Sequence, residues 1–136
     1  MDNDQDGAAD EPRLIRALIA SRPVLLMSQT GFSWRQMNQI EAILNDRTGQ
    51  DLAGDETVPT EGRDASQEEI HHLIVTAGWK QFLPNVFSDD LSVESSLLKA
   101  WKSAEDQSLY EYDDPTCDSR CKIIEFFYLS ILVRLN

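Results

Sequence analysis

Apolar residues recur along most of this chain at three- and four-residue spacing, which predicts helices. Leu14, Ile15, Leu18 and Ile19 mark the first, over 12–21, with Pro12 suited to its first turn. Pro23 ends it, because the proline ring removes a donor and turns Arg22 away from helical geometry. Val24-Leu25-Leu26-Met27 is an unbroken apolar run that reads equally as a strand or a buried helical turn. After Gly31, Ser33 is placed to cap a second helix. Its inner side carries Trp34, Met37, Ile40, Ile43 and Leu44, and Asn45 and Gly49 supply its end.

The pattern then lapses. Residues 45–67 hold Gly49, Gly54, Pro59 and Gly62, many acids, and only Leu52, Ala53, Val58 and Ala65 as apolar residues. They read as a long acidic connection, and connections of that length are functional or disordered. Ser66 and Glu69 have capping-box spacing before a new apolar face of Ile70, Leu73, Ile74 and Ala77, with Asp64 as a competing cap. Trp79, Phe82 and Leu83 carry the signal on to Pro84, with Gly78 ending this helix or lying inside it. Val86 and Phe87 are expected to pack under the following loop. Val93, Leu97, Leu98 and Trp101 predict a helix over about 92–106. Residues 107–118 return to loop chemistry. The last element, about 117–135, is the most apolar, running from Ile123 to Leu135 with only Glu125 and Arg134 charged after Lys122. Its length favours a helix, although its β-branched and aromatic residues also suit a strand.

These elements predict a mostly α fold, a compact bundle of about five helices around a buried, apolar C-terminal helix. The alternative is α+β, with 24–27 and the C-terminal run as short strands. Residues 1–12 hold five acids, no base and nothing large and apolar after Met1, so they read as a flexible acidic arm. Residues 13–136 then form a single helical domain. The chain's 136 residues are enough to bury a core without staples.

Charge sharpens this picture. The chain has 24 acidic and 12 basic side chains, a net charge of -12 and a pI near 4.4. This argues against binding a phosphate backbone, which needs clustered Lys and Arg, and against anionic membranes. The acidity is uneven. The arm, the stretch 45–69 (eight acids, two bases) and the stretch 105–118 (six acids, no base) carry it, while the apolar segments are neutral or slightly basic. Acids at helix starts and in loops serve macrodipoles and solubility. The same acids, grouped on loops, steer encounters with a basic partner. Arrayed on one face, they would mimic nucleic acid.

Catalytic signals are sparse. His71 and His72 are neighbours, about 100° apart on a helix, so at most one faces a core. Cys117 and Cys121 share a helical face, but with two adjacent histidines they make a poor zinc set. Free thiols are the leading expectation, one buried and one at a helix start; a disulfide is possible if residues 117–121 are not helical, but an intracellular setting argues against it. Nearby Asp113, Asp114 and Asp118 oppose a reactive thiolate at Cys117. Asp2, Asp4 and Asp6 alternate before Gly7 as in a calcium loop, but without an entering helix and with Glu11 in place of an acid at the twelfth position. No Gly-rich phosphate loop, nucleophile elbow or dinucleotide fingerprint is present. No metal or cofactor is therefore assigned.

Trp34, Trp79 and Trp101 fall at helical spacing with aliphatics and are expected in the core. Tyr110 and Tyr112 sit in an acidic loop instead. Tyrosine is enriched at interface hot spots, so Tyr110, Glu111, Tyr112, Asp113 and Asp114, with Asp51, Asp55 and Glu56 of the earlier connection, are the candidate partner-binding residues.

The reading is a non-enzymatic acidic protein that binds a basic surface on a macromolecular partner, as an adaptor, inhibitor or regulatory subunit. One alternative is a nucleic-acid-mimicking inhibitor of a DNA- or RNA-binding protein, such as a viral anti-defence factor. Another is a small enzyme with an unmarked site around His71, His72 and Cys117. An acidic N-terminus and the lack of a long apolar run predict neither a signal peptide nor a spanning helix, hence a cytoplasmic location.

Overall fold

The computed structural model describes residues 2, 4–57 and 64–135. Val58, Pro59 and Gly62 of the expected connection lie outside them, as do the side chains of Ile43, Val133, Arg134 and Leu135. The fold is mostly helical, with two short strands among the described residues. The chain divides into two compact units, Met1–Phe82 and Leu83–Asn136.

In the first unit, α1 (Pro12–Ser21) starts where Glu11 accepts the Arg13 amide at 3.0 Å. It ends at Arg22, which turns left-handed at φ 49° and returns its amide to the Leu18 carbonyl. Pro23 thus stops the helix in the expected way, by excluding helical geometry at Arg22. Leu14 is buried, but Ile15 and Ile19 are exposed, so only part of the predicted face packs.

The apolar run 24–27 is a strand, β1 (Val24–Ser28). It pairs in parallel with β2 (Gly49–Ala53), Val24 opposite Gly49 and Ser28 opposite Ala53. Parallel strands need a crossover, and α2 (Trp34–Leu44) provides it. A reciprocal capping box starts α2. Ser33 Oγ accepts the Gln36 amide, and Gln36 Oε1 accepts the Ser33 amide at 2.9 Å. Trp34 stands at the first position of α2, 69% exposed, with the Arg35 guanidinium over its ring. The expectation of a core Trp34 is therefore corrected. Helical spacing set its angle, but none of the described side chains of α2 is buried, and Met37, Ile40 and Leu44 of the predicted inner side are only half-buried.

The connection 45–67 is corrected too, since it holds β2 and a short α3 (Gly54–Thr57). Gln50 and Asp51 are poor strand formers, and only Leu52, 1% exposed, anchors the strand inward. Pairing with β1 overrides local propensity. Next, α4 (Ser66–Leu73) runs into a π-helical segment, Ile74–Trp79, and then α5 (Lys80–Phe82). The Ser66/Glu69 capping box does not form. Ala65 is the cap position, and the Glu69 carboxylate accepts the Gln50 side-chain amide instead, at 2.7 Å. Gly78 lies inside the π segment, where a Cβ would overlap the Leu14 Cδ1 and come 3.2 Å from Leu18. Glycine is what lets α1 approach this closely.

In the second unit, α6 (Pro84–Phe87) and α7 (Ser96–Asp106) precede α8 (Ser119–Leu135). The helix expected over 92–106 starts at Ser96. Buried Ser95 caps it, accepting the Leu98 amide at 3.0 Å while donating to the Ser88 carbonyl at 2.6 Å. Leu97, Leu98 and Trp101 form its buried face. In α8, Ile123, Ile124 and Tyr128 are buried, as expected of an apolar C-terminal helix. No helix among the described residues is long and apolar enough to cross a membrane.

Candidate functional site

The segment 107–118 is built onto the first turns of α8. Asp118 starts the helix by accepting the amides of Arg120 and Cys121 at 2.9 and 3.0 Å. Tyr110 reaches across it. Its hydroxyl donates to the Lys122 carbonyl at 3.1 Å, and its ring meets Phe126 edge-on at 5.2 Å. Tyr112 stacks on Tyr110, with centroids 6.4 Å apart and planes within 10°. Neither tyrosine is fully exposed. Burial, with Glu125 adding to it, pushes the Tyr110 hydroxyl well above its ordinary pKa, so it stays a protonated donor.

The carboxylates of this segment behave differently. Glu111 and Asp113 are exposed. Asp114 accepts the Thr116 hydroxyl at 2.7 Å and the Thr116 amide at 2.8 Å, and these bonds hold its carboxyl below the usual range. Five residues predicted from sequence thus share one ordered segment. Tyr110 packs on α8, Tyr112 is half-buried against Tyr110, and Glu111 and Asp113 face water.

Cys117 and Cys121 are joined by a disulfide, with Cα atoms 5.3 Å apart. The expectation of free thiols is corrected. Asp118 starts the helix after Cys117, so Cys117 stands outside α8, and a pair that one regular helix would hold apart can bond. Cys117 is buried and Cys121 half-buried. In this state Cys117 offers no thiolate for the alternative enzymatic reading.

Sequence reasoning missed an open apolar groove in the same unit, of about 450 Å³. Val86 and Phe87 of α6, Leu97 and Ala100 of α7, and Phe127 and Ile131 of α8 line it. Val86 and Phe87 are half-buried at this groove, with the Phe87 and Phe127 rings 5.6 Å apart. The Ser130 hydroxyl at the groove donates back to the Phe126 carbonyl at 2.7 Å. The clue in sequence was an α8 too apolar for one buried stripe.

In the first unit, Asp51, Asp55 and Glu56 are exposed within one short stretch of β2 and α3. Glu56 accepts the Ala53 amide at 2.8 Å, which fixes the turn from strand to helix. Behind them lies a polar cluster. The Gln50 side-chain nitrogen is 3.3 Å from His72 Nδ1, and the Glu69 carboxylate is 3.7 Å from it. His72 is buried and His71 half-buried, as their angular separation implies. Burial, reinforced by His72, lowers the His71 pKa to about 4. In the arm, Asp2 accepts the amides of Asp6 and Gly7 at 3.1 and 3.0 Å, and Asp2, Asp4 and Asp10 gather carboxylate oxygens within 4.8 Å. Such an oxygen-only set suits a hard divalent cation rather than zinc.

Comparison of the chain with protein-family models, curated proteins and solved structures finds no match.

Proposed function

We propose that this chain is a non-enzymatic protein-binding module that engages a basic surface of a macromolecular partner. It acts as an adaptor, inhibitor or regulatory subunit. The observation that carries the reading is the segment Tyr110–Asp114, in which Tyr110 is anchored to the Lys122 carbonyl, Tyr112 stacks on Tyr110, and Glu111 and Asp113 are exposed. Ordering a binding segment in advance removes much of the entropy cost of association. Its acids then steer and align a cationic partner. Asp51, Asp55 and Glu56 form a second exposed acidic stretch of the same chemistry.

The test uses a fluorescent oligolysine peptide as a minimal basic partner, followed by anisotropy. Binding should weaken at least about tenfold between 50 and 300 mM salt. The variant E111Q/D113N/D114N should weaken it at least about fivefold at low salt, and D51N/D55N/E56Q should do so if the first-unit stretch takes part. Absence of binding at low salt, or binding indifferent to every one of these acids, overturns the reading.

A further inference from the structure

Two anchors hold the segment 110–117 on α8, and they fall on adjacent residues of that helix. Tyr110 binds the Lys122 carbonyl at one end of the segment. Cys117 is bonded to Cys121 at the other. Between them lie Glu111, Tyr112, Asp113 and Asp114. The bridge encloses only three intervening residues, and so short a loop gives a disulfide little leverage over the unfolded chain. Its effect is local. It fixes where the segment meets the first turn of α8. Cys117 is buried, while Cys121 is half-buried and the more accessible residue of the two.

We propose that the Cys117–Cys121 bridge is a redox-sensitive staple, opened by small dithiols, that controls the docking of the Tyr110–Asp114 segment on α8. The exchange begins at the more accessible Cys121. A thiolate of the dithiol bonds to Cys121 Sγ, the bond to Cys117 breaks, and the electron pair leaves on Cys117, which takes a proton from water. The second thiol of the reagent then attacks the mixed disulfide. Cys121 is released as a thiol and the reagent departs as its own cyclic disulfide. Two electrons pass to the protein, and the dithiol is oxidised by the same two.

Once reduced, the sulfurs need van der Waals separation rather than a bond length. Cys117 is then no longer tied to α8, and the segment is free to lift from the helix at that end. Tyr110 then holds the segment at one end only. A reducing cytoplasm would favour this released form and oxidising conditions the docked one, as in intracellular disulfides that sense redox state. The consequence for binding rests on the reading of this segment as the epitope. The control of docking does not.

The experiment is hydrogen exchange on the full chain, oxidised and after dithiothreitol, with reduction verified by alkylation and mass, alongside oligolysine binding in both states. Amides of residues 110–117 should exchange at least about tenfold faster after reduction, while those of α7 hold their rates. Reoxidation should restore protection. The variant C117S/C121S should exchange like the reduced chain and ignore the dithiol. Unchanged exchange in verified reduced protein overturns the proposal, and so does a native bridge that resists the dithiol. Faster exchange with oligolysine binding unchanged, or with no binding in either state, supports the staple and removes the segment as the epitope. Faster exchange with weaker binding supports both.

Discussion

The Tyr110 hydroxyl donates to the main-chain carbonyl of Lys122, one residue beyond Cys121. A side chain twelve positions away thus fastens an acidic segment to a helix. Tyr110→Phe keeps the ring against Phe126 and removes only this bond. It should cost about 1 kcal/mol in urea unfolding, a typical net value for one hydrogen bond. An unchanged midpoint would show that water replaces the hydroxyl at no cost.

Gly78 and Leu14 make a second tight relationship. Gly78→Ala gains helix propensity yet forces Leu14 and Leu18 aside, for a net loss of about 1–3 kcal/mol. Leu14→Ala alone should cost about 2–5 kcal/mol by leaving a cavity. The double variant should lose less than the two singles together, because the new methyl fills part of that cavity. Additive losses by calorimetry would contradict the contact.

Ser95 serves two partners, capping α7 and donating to the Ser88 carbonyl. Ser95→Ala should destabilise by about 1–2 kcal/mol, and Ser95→Thr by less, since the threonine hydroxyl can still cap. Thermal melts of the two variants distinguish a cap from a position that only needs a small residue.

His71 ties stability to pH. Its folded pKa, about 4, lies below the unfolded value of about 6.5, so the unfolded chain binds the proton more readily. The stability from neutral His71 is complete above pH 6.5 and is lost as pH falls through 4. Discounted for partial exposure, the loss is on the order of 1–2 kcal/mol. His71→Gln should flatten that part of the profile in urea titrations from pH 7 to pH 4. A parallel profile would place the titration elsewhere.

What could be read from the sequence depended on how local the determinants were. Apolar spacing and prolines gave α1 its bounds, and Ser33 gave α2 its start, because a cap and a breaker act within a few residues. The strand β2 was hidden for the opposite reason. Gln50 and Asp51 do not favour a strand, and only β1, more than twenty residues earlier, makes them one. Trp34 and the pair Ile15 and Ile19 show another limit, since spacing marks an apolar face and not how much of it a neighbour covers. The five residues Tyr110–Asp114 stood out because tyrosines in an acidic loop are unusual. The bridge stood as the lesser expectation, because an intracellular setting disfavours disulfides and a helix over 117–121 would hold the two cysteines apart. The groove between α6, α7 and α8 needs three separated segments at once, which no local pattern encodes.

The parallel register of β1 and β2 also bears on the order of folding. Antiparallel strands can zip from a tight turn, but these two cannot meet until the chain between them has doubled back. α2 makes that return, and its reciprocal Ser33–Gln36 cap lies on the path between the strands. That cap therefore acts before the strands pair. Removing it should slow folding of the first unit more than it hastens unfolding, the kinetic signature of an element formed early on the route.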